Sequence, residues 1–243
     1  MSGHNKWSKI KNKKGSEDAK KGKVFTKHAR NITVAAKEGG TNPDYNPALK
    51  TAIEKAKADN MPNDNIDRAI KKAAGDDASD SFERVIYEGY GPGGVAVIVD
   101  CLTDNKNRTA PDVRHAFDKN GGNLGTDGSV MFMFERKGDI IVGKEGKDFD
   151  EFMMDALEAG CEDVKEMGEY FEAITDVNGF NDANDKLKEL GYKIESADIS
   201  YLANNMIKVE EEHVDKLNKL IDTLEDNDDV QEVYSNWDDS SEE

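Results

Sequence analysis

DIIVGKEGKDFDEFMMDALEAGCEDVKEMGEYFEAITDVNGFNDANDKLKELGYKIESADI, residues 139–199, is the stretch whose reading decides the fold. Its apolar positions alternate between a period of two and a period near 3.6. Asp139 to Val142 reads as a strand and Asp148 to Ala159 as a helix. Two strands follow (Asp163 to Met167, Tyr170 to Thr175), then a helix (Asn181 to Leu190) and a strand (Ile194 to Ile199). This β-α-β-β-α-β order is the split unit of ferredoxin-like domains.

The flanks of that stretch belong together. Upstream, Arg84 to Glu88 and Val95 to Leu102 read as strands joined by a Gly-rich turn. Thr109-Ala110-Pro111-Asp112 reads as a capping-box start for a helix carrying Val113, Ala116 and Phe117, and Val130 to Phe134 as another strand. Downstream, a helix (Glu211 to Glu225) and a strand (Val230 to Tyr234) complete the upstream set as an α/β sandwich, which residues 138–205 interrupt.

Three helical patterns precede all of this. Phe25, Ala29, Ile32 and Ala36 make one face of a helix from about Asp18 to Lys37, which Gly39-Gly40 ends. Asn46 caps a second helix with Pro47 in its first turn and Leu49, Ala52, Ile53 and Ala56 on its core face. A third begins near Asn63 and uses Ile66, Ala69, Ile70 and Ala73. None can bury its face alone, so together they predict one small helical domain. The expected fold class is therefore α+β in three domains, an N-terminal three-helix domain followed by two ferredoxin-like α/β sandwich domains, the last inserted into the middle one. The expected boundaries are 1–75 (basic arm and helical domain), 82–136 plus 206–237 (middle), 138–205 (inserted) and an acidic tail at 238–243.

Charge divides the chain as sharply as periodicity does. The formal net charge is −18, yet the first 37 residues carry 11 Lys or Arg against 2 acids. Residues 1–75 hold 17 basic and 8 acidic side chains, and the remaining 168 hold 16 and 43. A basic end on an acidic chain points to a polyanionic partner, bound with release of its counterions. No apolar run approaches a membrane span and no apolar segment follows the basic start, so neither a membrane partner nor a secretory signal is expected. Cys101 and Cys161, 60 residues apart and in apolar or helical settings, read as buried thiols of a reducing compartment, which predicts a cytoplasmic protein.

The arm interleaves lysines with an aromatic: His4, Lys6, Trp7, Lys9, Lys11, Lys13 and Lys14. Lysines fix phosphates, and an exposed Trp stacks on an unpaired base for roughly 1–3 kcal/mol. Lys20, Lys23, Lys27, Arg30 and Lys37 continue the series on the first helix, opposite its apolar face. A solvated charge run, with Trp7 stapling the arm to the helices, is the competing reading. The candidate nucleic-acid contacts are thus Lys6, Trp7, Lys9, Lys11, Lys13, Lys14, Lys20, Lys23, Lys27 and Arg30.

Two Gly-dense loops are candidates for a second contact. Gly89, Gly91 and Gly94 match the spacing of a dinucleotide loop, but they lie between two strands, Pro92 interrupts them and no helix follows, so a hairpin is expected. Gly121 to Ser129 would lie at the same sheet end, where backbone amides could approach a phosphate; simple turn chemistry fits equally well. Arg108, Arg114, Asn123 and Thr126 complete the candidate second contact. Asp104, Asn107, Arg114 and His115 gather acid–base residue types near a helix start, yet no nucleophile or metal set completes them, and His4, His28 and His213 show no ligand spacing. No catalytic residue, metal or cofactor is expected.

The pieces GHNKW (3–7), FTKHAR (25–30), AAKEGG (35–40), NMPNDNIDRAI (60–70), YEGYGPGG (87–94), NKNRT (105–109), GGNLGTDGSV (121–130) and VQEVYSN (230–236) resemble, in order, those of the YebC family. The resemblance runs from Gly3 to about Asn236, with Gly15-Ser16 standing where the family tends to carry alanines. It implies three domains, the last inserted in the middle one. It also implies a non-enzymatic cytosolic regulator of gene expression: bacterial members are usually labelled DNA-binding transcriptional regulators. The mitochondrial relative is a translational activator, and the family is tied to ribosomes stalled at proline runs. The reading preferred here is a monomeric factor acting on ribosomal RNA, because a helix offering mainly Lys reads shape and phosphate rather than base edges; a DNA-binding transcriptional regulator is the alternative.

Overall fold

A computed structural model describes residues 18–75 and 82–239, with side chains from Gly22 onward in the first helix. Among these residues lie seven α-helices and two four-stranded antiparallel sheets in a mixed α/β arrangement.

The first three helices are α1 (Asp18–Gly39), α2 (Pro47–Ala58) and α3 (Asn63–Ala73). Their expected apolar faces meet in one cluster built on Ile32, Ala36, Leu49, Ala56, Ile66 and Ala69. Asn46 fixes the α1–α2 corner. Its side-chain oxygen accepts from the Leu49 amide at 3.1 Å, and its Nδ2 donates to the carbonyls of Ala35 (2.7 Å) and Gly40 (2.8 Å). A Cβ on Gly39 would sit 2.6 Å from that side chain, and Gly40 turns the chain at φ +90°. The corner therefore requires both glycines.

The first sheet has the order β3-β1-β2-β8, from β1 (Glu83–Tyr90), β2 (Ala96–Thr103), β3 (Asn123–Leu124) and β8 (Val230–Ser235). β1 and β2 form an antiparallel hairpin closing at Tyr90↔Ala96, so GYGPGG is a turn, with Gly93 at φ +72°. Two helices accompany this sheet, α4 (Lys106–Lys119) and α7 (Glu211–Glu225). Phe117 of α4 lies over Gly89, and Leu217 and Leu220 of α7 lie over Gly91, so the glycines are where helices approach the hairpin most closely.

Two local expectations need correction. The start of α4 is not Thr109. Asn105 caps it, accepting from the amides of Asn107 (3.1 Å) and Arg108 (3.3 Å), while Thr109 is a buried helical residue and Pro111 lies inside the helix. Nor is Val130 to Phe134 a strand. Residues Met131–Met133 form a 3₁₀ turn, and Asn123–Leu124 supplies the third strand of this sheet.

The second sheet has the order β5-β6-β4-β7, from β4 (Phe134–Gly143), β5 (Asp163–Met167), β6 (Tyr170–Thr175) and β7 (Ile194–Ala203), with α5 (Phe149–Glu158) and α6 (Phe180–Glu189) on one face. Counted within the stretch, that is 2-3-1-4, the ferredoxin-like order. Phe152, Phe171 and Tyr192 anchor its core, the first two stacked at 4.7 Å. β4 runs unbroken through Gly138, which faces Thr175 and leaves room for Phe180.

The chain forms two compact units, one of residues 131–208 with 234–239, the other of residues 18–130 with 209–233. The three-helix segment thus keeps its own core while sharing a unit with the first sheet.

Candidate nucleic-acid interface

What ties α1 to the first sheet is the basic stripe itself. Lys27 Nζ donates to the Glu225 carbonyl at 2.7 Å, and Lys23 Nζ reaches both the carbonyl and the carboxylate of Asp226 at 3.2 Å. These carbonyls end α7, whose last turn carries no basic residue of its own. A helix C-terminus is the negative end of the peptide dipole, and here cations from another helix cover it, an effect of about 0.3–1 kcal/mol per charge.

Arg30 goes deeper. Its Nη1 donates to the carbonyls of Asp228 (2.7 Å) and Leu102 (3.3 Å) and to Asp229 Oδ1 (2.8 Å), and its guanidinium lies 5.2 Å from the Phe82 ring centre. Asn31 adds a bond to Gln231 at 2.8 Å. Lys23, Lys27 and Arg30, expected to face nucleic acid, therefore have their cationic groups on the α7–β8 turn. The physical reason is that this turn offers uncapped carbonyls beside the acids Asp226, Asp228 and Asp229.

Asp229 is the hub. Its side chain is 5% exposed and accepts from Arg30, from Arg108 Nη2 (3.0 Å to Oδ2) and from the Thr109 hydroxyl (2.8 Å), with Thr103 at 3.3 Å. Burial alone would raise its pKa. The hydrogen bonds from Thr109, Arg108 and Arg30 outweigh that and hold it below the ordinary carboxylate value. The Arg108 guanidinium, which also takes Asp104 Oδ1 at 2.8 Å, is correspondingly raised by these hydrogen bonds. Arg30, Asp104, Arg108, Asp112 and Asp229 line an open polar hollow of about 400 Å³ at this corner.

The expected second contact does not assemble. Arg108 sits at the start of α4 on Asp229, whereas Asn123 lies beyond the other end of that helix, opposite Tyr90. Fourteen helical residues, roughly 20 Å, separate the two ends. Arg114 and Thr126 are exposed. The Gly121–Ser129 loop does lie beside the hairpin as expected, but the Gly128 amide and the Val130 amide just beyond it are already engaged by a side chain. Buried Glu88 accepts from Gly128 N at 2.7 Å with one carboxylate oxygen and from Val130 N at 2.8 Å with the other. The cradle read as a phosphate site is occupied by the chain's own carboxylate.

Lys6, Trp7, Lys9, Lys11, Lys13 and Lys14 lie outside the described residues, as does the side chain of Lys20. In the helical segment, Lys37, Lys50, Lys57, Arg68 and Lys71 are exposed and make no ion pair with a described residue. Sequence reasoning missed three positions. Asp229 and Glu88 were hidden among 51 acids, and Asn31 among polar residues. Their signal is burial of a polar side chain, which one sequence does not display.

Acid–base chemistry finds no assembled set among the described residues. Asp104 is paired with Arg108, and His115 is exposed. His28 Nε2 lies 2.7 Å from Asp59 Oδ2 in a half-buried pair between α1 and the end of α2. His213 comes near Glu210 and Glu212, its near neighbours in sequence, on the surface. Cys101 and Cys161 are buried free thiols, and burial pushes them up to about 12 and about 11. No helix among the described residues is long and apolar enough to cross a membrane.

The chain's two parts match two family models. Residues 5–76 match the model described as the TACO1/YebC protein N-terminal domain, and residues 82–237 match the TACO1/YebC second and third domain. The chain belongs to the TACO1/YebC family. A relative from Finegoldia magna, called a probable transcriptional regulatory protein, is 61% identical over 98% of this chain and 99% of its own. One from Geobacter sulfurreducens with the same description is 53% identical over 100% and 98%. Among solved structures, a conserved hypothetical protein of Aquifex aeolicus superposes with a TM-score of 0.85 at 46% identity, covering 93% of each chain. The family match and the fold agree: helical segment first, then two sheets, one interrupting the other in sequence.

Proposed function

We propose that this chain is a non-enzymatic regulator of gene expression that binds nucleic acid with its basic arm and helical segment, and that its target is structured RNA on the ribosome, where it relieves stalls at proline runs. The carrying observation is the position of Lys23, Lys27 and Arg30. A recognition helix must present a free polar face to the major groove, and α1 has that face on the α7–β8 turn. The exposed cations that remain, Lys37, Lys50, Lys57, Arg68 and Lys71, are spread over three helices and are lysines with one exception. Such a set supports contact with phosphates of a shaped surface. Lys6, Trp7, Lys9, Lys11, Lys13, Lys14 and Lys20 are the proposed contacts that extend it.

The relatives' description as probable transcriptional regulatory proteins favours duplex DNA as a second reading. Competition decides between them. Full-length protein is offered ribosomal subunits and duplex DNA at physiological salt, alongside a form lacking residues 1–17 and a Lys37/Arg68/Lys71→Glu triple variant. Saturable subunit binding that survives excess duplex and weakens in both variants supports the RNA reading. Site-selective duplex binding without subunit retention replaces it with the transcriptional one.

A further inference from the structure

Helix α5 has two apolar faces where a surface helix needs one. Phe152 and Ala156 point into the core of the second sheet and are fully buried. Met154 and Leu157 lie on the opposite side, about 200° and about 140° around the axis from Phe152, and are 71% and 52% exposed. Leu190, at the end of α6, is 44% exposed. Two ties hold this end of α6 against α5: Tyr192 Oη donates to Asp155 Oδ2 at 2.7 Å, and Lys186 Nζ donates to the Glu158 carbonyl at 2.7 Å. Single exposed apolar side chains are ordinary, but an i, i+3 pair with a third beside it makes a patch.

Its surroundings are predominantly acidic, with Lys147 held over the Tyr192 ring. α5 carries Asp150, Glu151, Asp155 and Glu158 and neither Lys nor Arg. The two lysines of α6 are spent locally, Lys186 on Glu158 and Lys188 within 3.7 Å of Asp185. We infer that the Met154–Leu157–Leu190 face is a docking site for a basic amphipathic segment of a partner protein. Such a segment would insert one or two large apolar side chains between Met154 and Leu157 and pair its Lys or Arg with Asp150, four residues before Met154, and Glu151. An unbranched, polarizable Met suits a surface that must adapt to an apolar anchor. Charge complementarity selects the occupant: the acid rim repels nucleic acid and a second acidic face, and attracts a Lys/Arg-rich helix. This site lies on the inserted domain and does not depend on the nucleic-acid reading.

The test is fluorescence anisotropy of a labelled Leu/Lys amphipathic helical peptide on the full chain, with an oligolysine of equal charge as control. The expected result is saturable peptide binding at least tenfold tighter than oligolysine. Met154→Asp or Leu157→Asp should weaken it at least tenfold, and the double variant Asp150→Asn/Glu151→Gln should weaken it while flattening its salt dependence. Because these side chains are exposed, the variants keep the fold, which circular dichroism checks. Equal binding in Met154→Asp and wild type, or peptide and oligolysine bound alike, overturns the site. Two further outcomes also overturn it by naming another occupant: concentration-dependent dimerisation that Leu157→Asp abolishes, or peptide binding that appears only after residues 1–17 are removed.

Discussion

Replacing Asp229 by Asn should cost about 3 kcal/mol, and the structure says where that energy resides. The carboxylate is buried and accepts from Arg30, Arg108 and Thr109. A hydrogen bond between a charged donor and acceptor contributes about 1.5–3 kcal/mol. The Arg30 pair, 18% and 5% exposed, justifies about 2 kcal/mol. The Arg108 side chain is half-exposed and screened, so the remaining share, about 1 kcal/mol, lies with the buried Thr109 hydroxyl. Asn keeps the volume and one acceptor but turns an N–H toward a guanidinium. The loss should also be local, since Arg30 joins α1 to the turn while the second unit lacks this contact. Urea unfolding followed by hydrogen exchange reads both: the midpoint falls, and amides of α1 and β8 lose protection while those of β4 and β6 keep theirs. The pH dependence has a fixed sign. The folded-state pKa lies below the unfolded one, so the stabilisation is complete above the ordinary carboxylate range and disappears as pH falls through the depressed folded value. The variant should therefore converge on wild type in acid. A change under 0.5 kcal/mol at neutral pH, or loss of protection spread evenly over both units, would refute the hub.

Three other outcomes follow from close contacts. Gly39→Ala improves helix propensity yet should lower the melting temperature by the equivalent of about 1–3 kcal/mol, because its Cβ lands on the Asn46 cap; a neutral or raised midpoint would refute the packing. Glu88→Gln leaves one of two amides facing an N–H, so hydrogen exchange at Gly128 and Val130 should quicken, with about 1–3 kcal/mol lost; unchanged exchange would mean those amides are held by something else. With thiols pushed up to about 12 and about 11 by burial, Cys101 and Cys161 should resist alkylation at pH 8 in the native protein and react fully in denaturant; rapid native labelling of either would contradict its burial.

Much of this architecture was legible because it is local. The strands of residues 163–167 and 170–175 match the reading to the residue, since Gly160, Gly168 and Gly179 bound them within the same stretch. Asn46 with Pro47 announced α2 for the same reason. The failures are non-local. Asn105 and Thr109 are both good caps in isolation; Thr109 lost because its hydroxyl is claimed by Asp229, 120 residues away. The segment at 130–134 has strand composition, but Glu88 takes the Val130 amide and Met131–Met133 turn as a 3₁₀ helix, so the ladder begins only at Phe134.

The basic stripe shows the same limit at the level of function. A row of cations on a helix answers two demands that look identical in sequence, a polyanion outside and a chain of uncapped carbonyls inside. Only the fold brings residue 27 to residue 225. Once it does, the charge asymmetry acquires a division of labour. Arg30, 18% exposed and hydrogen-bonded three times, cannot leave its site for a phosphate without exposing the buried Asp229 charge, a loss that one solvated phosphate contact does not repay. Lys37, Arg68 and Lys71 forfeit nothing by binding, since they are already solvated. On the proposed reading, binding therefore falls to the exposed cations and the arm, while the inner face of α1 holds the helical segment on the first sheet.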